Sequence, residues 1–246
     1  MPARPHTTVS CAVSVDGYLD DATPDRLILS GPEDLDGVDA VRASADAILV
    51  GAGTIRKDDP RLLVRDPARV AARKAAGRSP HPFRVTLTSS GDLNPNANFF
   101  TGPGTPLVYC PVGATAKAME SLGNAMECLG NKAKVIEVGP ELTLAAVLAD
   151  LYQERGVMTL LVEGGARILR DLLAADLVDE LRLAIAPFFV ADPAAPRFAL
   201  PARYPHTAAN PMTLVSARRV GEVAVHHYRL ANRPVPAESR PDQVSF

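Results

Sequence analysis

Short apolar runs punctuate the middle of the chain and alternate with stretches of helical spacing. Ala47 to Val50, Val85 to Leu87, Pro106 to Cys110, Lys134 to Val138 and Val157 to Val162 each read as a short β-rich apolar run. Between the last two, Leu144, Val147, Leu148, Leu151 and Tyr152 recur at a spacing that places them on one helix face, and Gly156 marks where that helix stops. An earlier helix is predicted from Ser30. Ser30 and Glu33 have the capping-box spacing, Pro32 suits a first turn, and Leu35, Val38 and Val41 make its apolar side. Alternation of this kind predicts an α/β fold with a largely parallel sheet.

The pattern changes toward the carboxyl end. Leu181 to Val190 is an apolar run, and Thr213 to Arg218 and Glu222 to Leu230 flank a turn signal at Val220-Gly221. These two segments read as an antiparallel hairpin, so the sheet is expected to be mixed at one edge. Asp192 to Pro211 carries five prolines and reads as a long surface loop. Residues 1–231 are expected to form one domain, and residues 232–246, with Pro234, Pro236 and Pro241, a flexible tail.

Composition narrows the function. With 47% hydrophobic and 22% charged residues in 246, the chain has the apolar content of a globular protein and not of a disordered one. A net charge of -2 excludes the basic field that non-specific nucleic-acid binding needs, and the lack of Trp removes stacking platforms for single strands. No run reaches the ~18 apolar residues of a membrane span. The opening MPARPHTTVS lacks a signal-peptide core, and Cys11, Cys110 and Cys128 show no paired spacing. The expectation is a cytoplasmic protein with reduced thiols and a small-molecule ligand.

Two segments carry candidate chemistry. In AILVGAGTIRKDDPRLLVR, residues 47–65, an apolar strand runs into Gly51-Ala52-Gly53, and Thr54, Arg56, Asp58 and Arg65 crowd the same strand end, where α/β proteins bind ligands. Arg56 occupies the third glycine position of a Rossmann fingerprint and Asp58-Asp59-Pro60 stops the helix early, so that reading fails. In TLLVEGGARILRDLL, residues 159–173, a strand ends in Glu163-Gly164-Gly165 and a helix follows with Ile168, Leu169, Leu172 and Leu173 as its stripe. Its first N–H groups lack intrahelical partners, and the glycines let a phosphate approach them. Glu163 either binds donors of a ligand or caps the helix; spacing alone leaves both open. SVDGY, residues 14–18, gives a turn at Asp16-Gly17. No HExxH, CxxC, GxSxG or GxxxxGK[ST] motif is present, and His226 and His227, adjacent on a strand, point to opposite faces. No metal site is therefore expected.

Taken together, SVDG, SGPED leading to an arginine, LVGAGTIRKDDPRLLVR and LVEGGARILRDLL resemble, in order, the reductase module of riboflavin biosynthesis over about Val9 to Ala186. The resemblance implies a dihydrofolate-reductase-like three-layer sandwich and an NADPH-dependent reduction of the ribosyl chain of 5-amino-6-(5-phosphoribosylamino)uracil. It implies NADP contacts at Ala12, Thr54, Asp58 and Ser89, with Gly51 and Gly53 beside them. The cofactor phosphates would lie near Gly164, Gly165, Ala166, Arg167 and Ile168. It implies substrate contacts at Arg42, Leu62, Arg65 and Glu163, and a homodimer. Arg42 and Arg65 would grip a sugar phosphate through charge-assisted bonds of ~1.5–3 kcal/mol each. Asp58 and Glu163 are the candidates for orienting or relaying a proton, with Asp16 behind them. The chain departs from the family at Tyr18, where a lysine is common, at an aromatic position near Leu27, and at VADPAAPRF, which replaces a glycine-rich stretch. A reductase of another pterin or pyrimidine, and a nucleotide-binding protein without catalysis, are the alternatives these departures leave. The chain shows no HxE…PCxxC deaminase signature.

Overall fold

The computed structural model describes residues 3–123 and 133–230. Cys128 and the 232–246 segment lie outside the described residues. A nine-stranded mixed sheet forms the centre. In chain order its elements are β1 (His6–Ser14), α1 (Pro32–Ser44), β2 (Ala47–Gly51), α2 (Ala52–Asp58), α3 (Pro67–Ala75), β3 (Phe83–Leu87), α4 (Asn98–Thr101), β4 (Leu107–Cys110) and α5 (Val112–Gly123). There follow β5 (Lys134–Glu137), α6 (Leu144–Gln153), β6 (Thr159–Gly164), α7 (Ala166–Ala174), β7 (Glu180–Ala186), β8 (Thr213–Val220) and β9 (Val223–Arg229). The spatial order is β5-β4-β3-β2-β6-β1-β7-β9-β8. Strands β5 through β7 run parallel, and β9 pairs antiparallel with both β7 and β8.

Alternation along β2 shows why both faces of this sheet must be covered. Leu49 joins a core with Val85, Val162, Val147, Leu148 and Leu151 of α6 and Leu169 and Leu172 of α7. Its neighbours Ile48 and Val50 join the opposite core with Val41 of α1, Ile55 of α2, Phe99 and Phe100 of α4, and Leu122 of α5. Successive strand side chains point to opposite faces, so the continuous apolar runs seen in the sequence produce three layers. Among the described residues no helix is long and apolar enough to cross a membrane.

Three local expectations need correction. The α1 N-cap is Gly31 and no side chain caps it, because Pro32 takes the first helical position and Glu33 turns outward to the β8–β9 turn, 2.8 Å from where a Cβ on Gly221 would stand. The core-facing side of α1 is also more polar than predicted. Asp34 and Asp39 are buried with Val41, whereas Leu35 and Val38 are half-buried and face the cleft described below. Asp34 is bound to Arg182 of β7, which is how an acidic group is tolerated there. Finally, Val220 pairs with Val223, so the hairpin turns at Gly221-Glu222, one residue later than predicted, with Gly221 at φ +58°.

At the amino ends of the strands a second buried pair pins the chain. Arg4 donates to both carboxylate oxygens of Asp179, at 2.6 and 3.0 Å, and the Thr7 amide donates to Asp179 at 2.8 Å. Beside it, Glu180 lies between His6 and His227, 3.8 and 3.3 Å away. Burial pushes the Glu180 carboxyl up, but the two histidines outweigh it and bring the group down to about 2.

Candidate functional site

At the opposite, carboxyl ends of β3, β2, β6 and β1 lies a cleft of about 900 Å³. That is room for a dinucleotide-sized ligand and more. The two glycine corners meet in it. A Cβ on Gly165 would stand 3.3 Å from Thr54 Oγ1, and one on Gly51 3.0 Å from Ile168 Cδ1. Gly164 and Gly165 hold φ of +138° and +57°, conformations that L side chains rarely adopt. This backbone turns β6 into α7 so tightly that the α7 N-cap is Gly165, with no side chain bonded to its first amides. Those amides are left for a ligand.

Glu163 therefore does not cap the helix. The parallel pairing of β2 and β6 shifts register between Leu49 and Val50: Leu49 faces Val162, and Val50 faces Gly164. Glu163 is the residue left over, a β-bulge, and bulges re-aim side chains beside functional sites. Its carboxylate accepts from Arg42 Nε and Nη2, both at 2.6 Å. Arg42 is in the last turn of α1, so the pair bridges the sheet to the covering helix. Arg42 and Glu163, both expected to contact a substrate, form one unit on the cleft wall.

Arg65 is held by its backbone. Buried Asp39 accepts from the Arg65 amide at 2.6 Å, the Asp66 amide at 3.1 Å and Arg69 Nη1 at 3.1 Å. Burial alone would raise the Asp39 carboxyl, but these donors leave it below the usual carboxylate range. The Arg65 guanidinium stays 55% exposed at the cleft, donating to the Leu35 carbonyl. Asp58 ends α2 beneath Arg26 and Asp20. Burial raises its carboxyl, Arg26 and Lys57 pull it down, Asp20 adds to the rise, and the net shift is upward. Asp20 itself is ion-paired to Lys57 at 2.6 Å.

Ala12, Gly53, Ser89, Ala166 and Arg167 also line the cleft. Leu62 does not. Its φ of +51° turns the side chain inward, where it is 2% exposed among Ile48, Phe99 and Val108. Asp16 accepts from the Ser14 hydroxyl and the Val190 and Ala191 amides, and so anchors the start of the proline-rich segment. Tyr18 is 2% exposed, with the Arg197 guanidinium 4.2 Å from its ring centroid and donating to its hydroxyl. Leu27 and Pro196 contribute apolar wall. Cys11, also on the wall, is pushed up to about 12 mainly by burial and is an unreactive thiol. Sequence reasoning missed Asp39. An acid inside the apolar stripe of α1 was the available signal.

Residues 5–225 match the family described as the RibD C-terminal domain. Curated relatives named 2,5-diamino-6-ribosylamino-4(3H)-pyrimidinone 5′-phosphate reductase include one from Archaeoglobus fulgidus, 33% identical over 187 residues, covering 76% of this chain and 82% of that protein. One from Aquifex aeolicus is 32% identical over 192 residues, covering 76% and 79%. The solved pyrimidine reductase-like protein from Corynebacterium diphtheriae superposes with a TM-score of 0.76 at 22% identity, covering 93% of each chain. Acinetobacter baumannii RibD does so with a TM-score of 0.75 at 21% identity, covering 93% of this chain and 58% of that one. These two likenesses establish the fold.

Proposed function

The chain belongs to the RibD C-terminal domain family, and from that premise we propose that it is an NADPH-dependent oxidoreductase of riboflavin biosynthesis. It reduces the ribosyl chain of 5-amino-6-(5-phosphoribosylamino)uracil to a ribityl chain. The observation that carries this reading is the convergence of Thr54 and Gly165 in one cleft with Arg65 and the Arg42–Glu163 pair. The uncapped α7 amides, the glycine cradle and the Thr54 hydroxyl suit a pyrophosphate. When bound, the nicotinamide supplies a hydride for C1′ of the open-chain imine.

The chain's own groups do the rest. Arg65, exposed and fixed by Asp39, grips the sugar phosphate. Glu163, its two oxygens already aligned by Arg42, accepts from pyrimidine or ribose donors. Asp58, kept protonated more readily than an ordinary carboxyl, gives a proton to the ribose ring oxygen as the sugar opens. Tyr18 is buried against Arg197 and does not line the cleft, so it does not replace the missing lysine chemically.

The names of the curated relatives favour a second reading of the substrate, in which pyrimidine C2 still carries its amino group. Purified protein is offered NADPH with each phosphorylated ribosylaminopyrimidine, with dihydrofolate as a comparison, and loss of NADPH absorbance is followed. Oxidation with either ribosylaminopyrimidine upholds the class and shows which precursor is used. Oxidation with neither overturns it. The proposal includes a cytoplasmic homodimer. The edge strand β8, which leaves Leu214 and Val215 exposed, supports the pairing, and sedimentation tests it.

A further inference from the structure

A buried carboxylate stands behind Arg65, the cation offered to the sugar phosphate. The Asp39 side chain is 2% exposed, and its Oδ1 lies 3.6 Å from Arg65 Nε. That separation is an ion-pair contact without a hydrogen bond. The Arg65 guanidinium donates instead to the Leu35 carbonyl, at 2.7 Å. Opposite charges attract more strongly where water is excluded. An Asp39 with no other cation would therefore draw the Arg65 side chain back from the cleft.

Arg69 supplies that other cation. Its Nη1 donates to Asp39 Oδ2 at 3.1 Å, and its Nη1 and Nη2 donate to the two oxygens of Asp36 at 2.7 and 2.9 Å. Asp36 and Asp39 are three positions apart on α1 and so share one side of it. Arg69 sits in the first turn of α3, the end of a helix where its dipole disfavours a cation. The two acids of α1, with Asp66 Oδ2 at 3.7 Å, hold it there. Among the described residues the cations paired with Asp39 are Arg65 and Arg69. Arg42 also feels the Asp39 charge, but both oxygens of Glu163 engage it.

Arg65 lines the cleft, whereas Arg69, Asp36 and Asp39 do not. We propose that Arg69 is a positioning residue for substrate binding. By taking up the charge of Asp39 behind the wall, it leaves the Arg65 guanidinium free for the phosphate. It thereby sets the preference for a phosphorylated over an unphosphorylated ribosylaminopyrimidine. This inference rests on the reading of Arg65 as the phosphate grip, and adds to it a residue that never meets the ligand. Without Arg69, Asp39 competes with the phosphate for Arg65.

The test follows NADPH oxidation by the full chain with the phosphorylated ribosylaminopyrimidine and with the same compound after phosphatase treatment. Wild type should favour the phosphorylated form in kcat/KM by at least about tenfold, as one charge-assisted contact predicts. Arg69→Gln should remove most of that preference through KM of the phosphorylated form alone, with kcat and calorimetric NADP⁺ affinity unchanged. Arg69→Lys should keep part of it. Adding Asp39→Asn to Arg69→Gln should recover part of it, since no anion then holds Arg65. In an Arg65→Gln background, Arg69→Gln should change nothing. Asp36 is 66% exposed, so Asp36→Asn tests the claim even where Arg69→Gln does not fold, and it should keep the full preference. A mere tether between α1 and α3 behaves otherwise. Arg69→Gln would then lower kcat/KM for both substrates alike, Asp39→Asn would deepen the loss, and Asp36→Asn would share it. Any of these overturns the role of Arg69 and leaves Arg65 standing. If wild type shows no preference, or Arg65→Gln keeps it, the phosphate grip falls and this inference falls with it.

Discussion

Arg42 Nε and Nη2 each lie 2.6 Å from an oxygen of Glu163, a two-point ion pair between residues 121 positions apart in the chain. Both side chains are mostly buried, so removing one partner strands the charge of the other. Arg42→Ala should cost roughly 3–5 kcal/mol in stability if the site stays closed, read by denaturant unfolding. Glu163→Gln keeps the shape and loses the charge. It should raise KM for the ribosylaminopyrimidine about tenfold or more, through a weakened charge-assisted contact, while NADP⁺ affinity stays unchanged.

Gly165→Ala places a methyl 3.3 Å from Thr54 Oγ1 on a backbone at φ +57°. The substitution should lower stability by about 1 kcal/mol or more and weaken NADP⁺ binding. Adding Thr54→Ala should relieve the crowding but not the backbone strain, so the double variant should recover binding only in part. Full recovery would mean that φ at this corner carries no constraint.

Leu62→Ala separates a core role from a contact role. A fully buried leucine truncated to alanine costs roughly 2–5 kcal/mol, visible as a lower melting temperature. Since the side chain is absent from the cleft wall, KM of the folded fraction should not move.

Asp58 gives opposite signs in rate and stability. Its carboxyl is raised, so the folded state favours the protonated form, and stability falls as pH rises from the ordinary carboxylate value through the folded one. Asp58→Asn should therefore melt higher than wild type at neutral pH. The same variant should lose most of its turnover, and its kcat/KM should lack the decline with rising pH that is expected of wild type.

Glu180 is depressed instead, from 4.5 to about 2. Its contribution is present above pH ~4.5 and is lost as pH falls toward 2, the span set by its unfolded and folded values. Glu180→Gln should flatten the acid limb of the unfolding midpoint against pH. It should leave the cleft's affinities alone, since the site lies at the far ends of the strands.

Much of the architecture was readable from the chain. Ala47 to Val50 and Leu160 to Val162 are uninterrupted apolar runs because helices cover both faces of β2 and β6, and the Leu144 to Tyr152 spacing closes over one of those faces. Both glycine corners announced themselves by sitting directly after those runs. What could not be read depends on distant partners. The bulge at Glu163 arises from how β6 registers against β2, and no local pattern encodes it. The Asp39 clamp on Arg65 requires α1 to lie beside the turn that precedes α3. At Leu62, neighbours of suitable chemistry on both sides conceal a left-handed backbone that sends the side chain into the core. The capping-box signal misled for a simpler reason: Pro32 fixed the helix start one residue later than Ser30 could serve.

The Arg4–Asp179 clamp has a practical corollary. It fastens the leading segment to the amino ends of the strands, the pole away from the ligand mouth. A dye, linker or surface tether attached to a cysteine placed at exposed Ala3, next to the clamp, sits on that blind side. Immobilised that way, every copy presents its opening to the bulk, an orientation that attachment through scattered lysines does not guarantee.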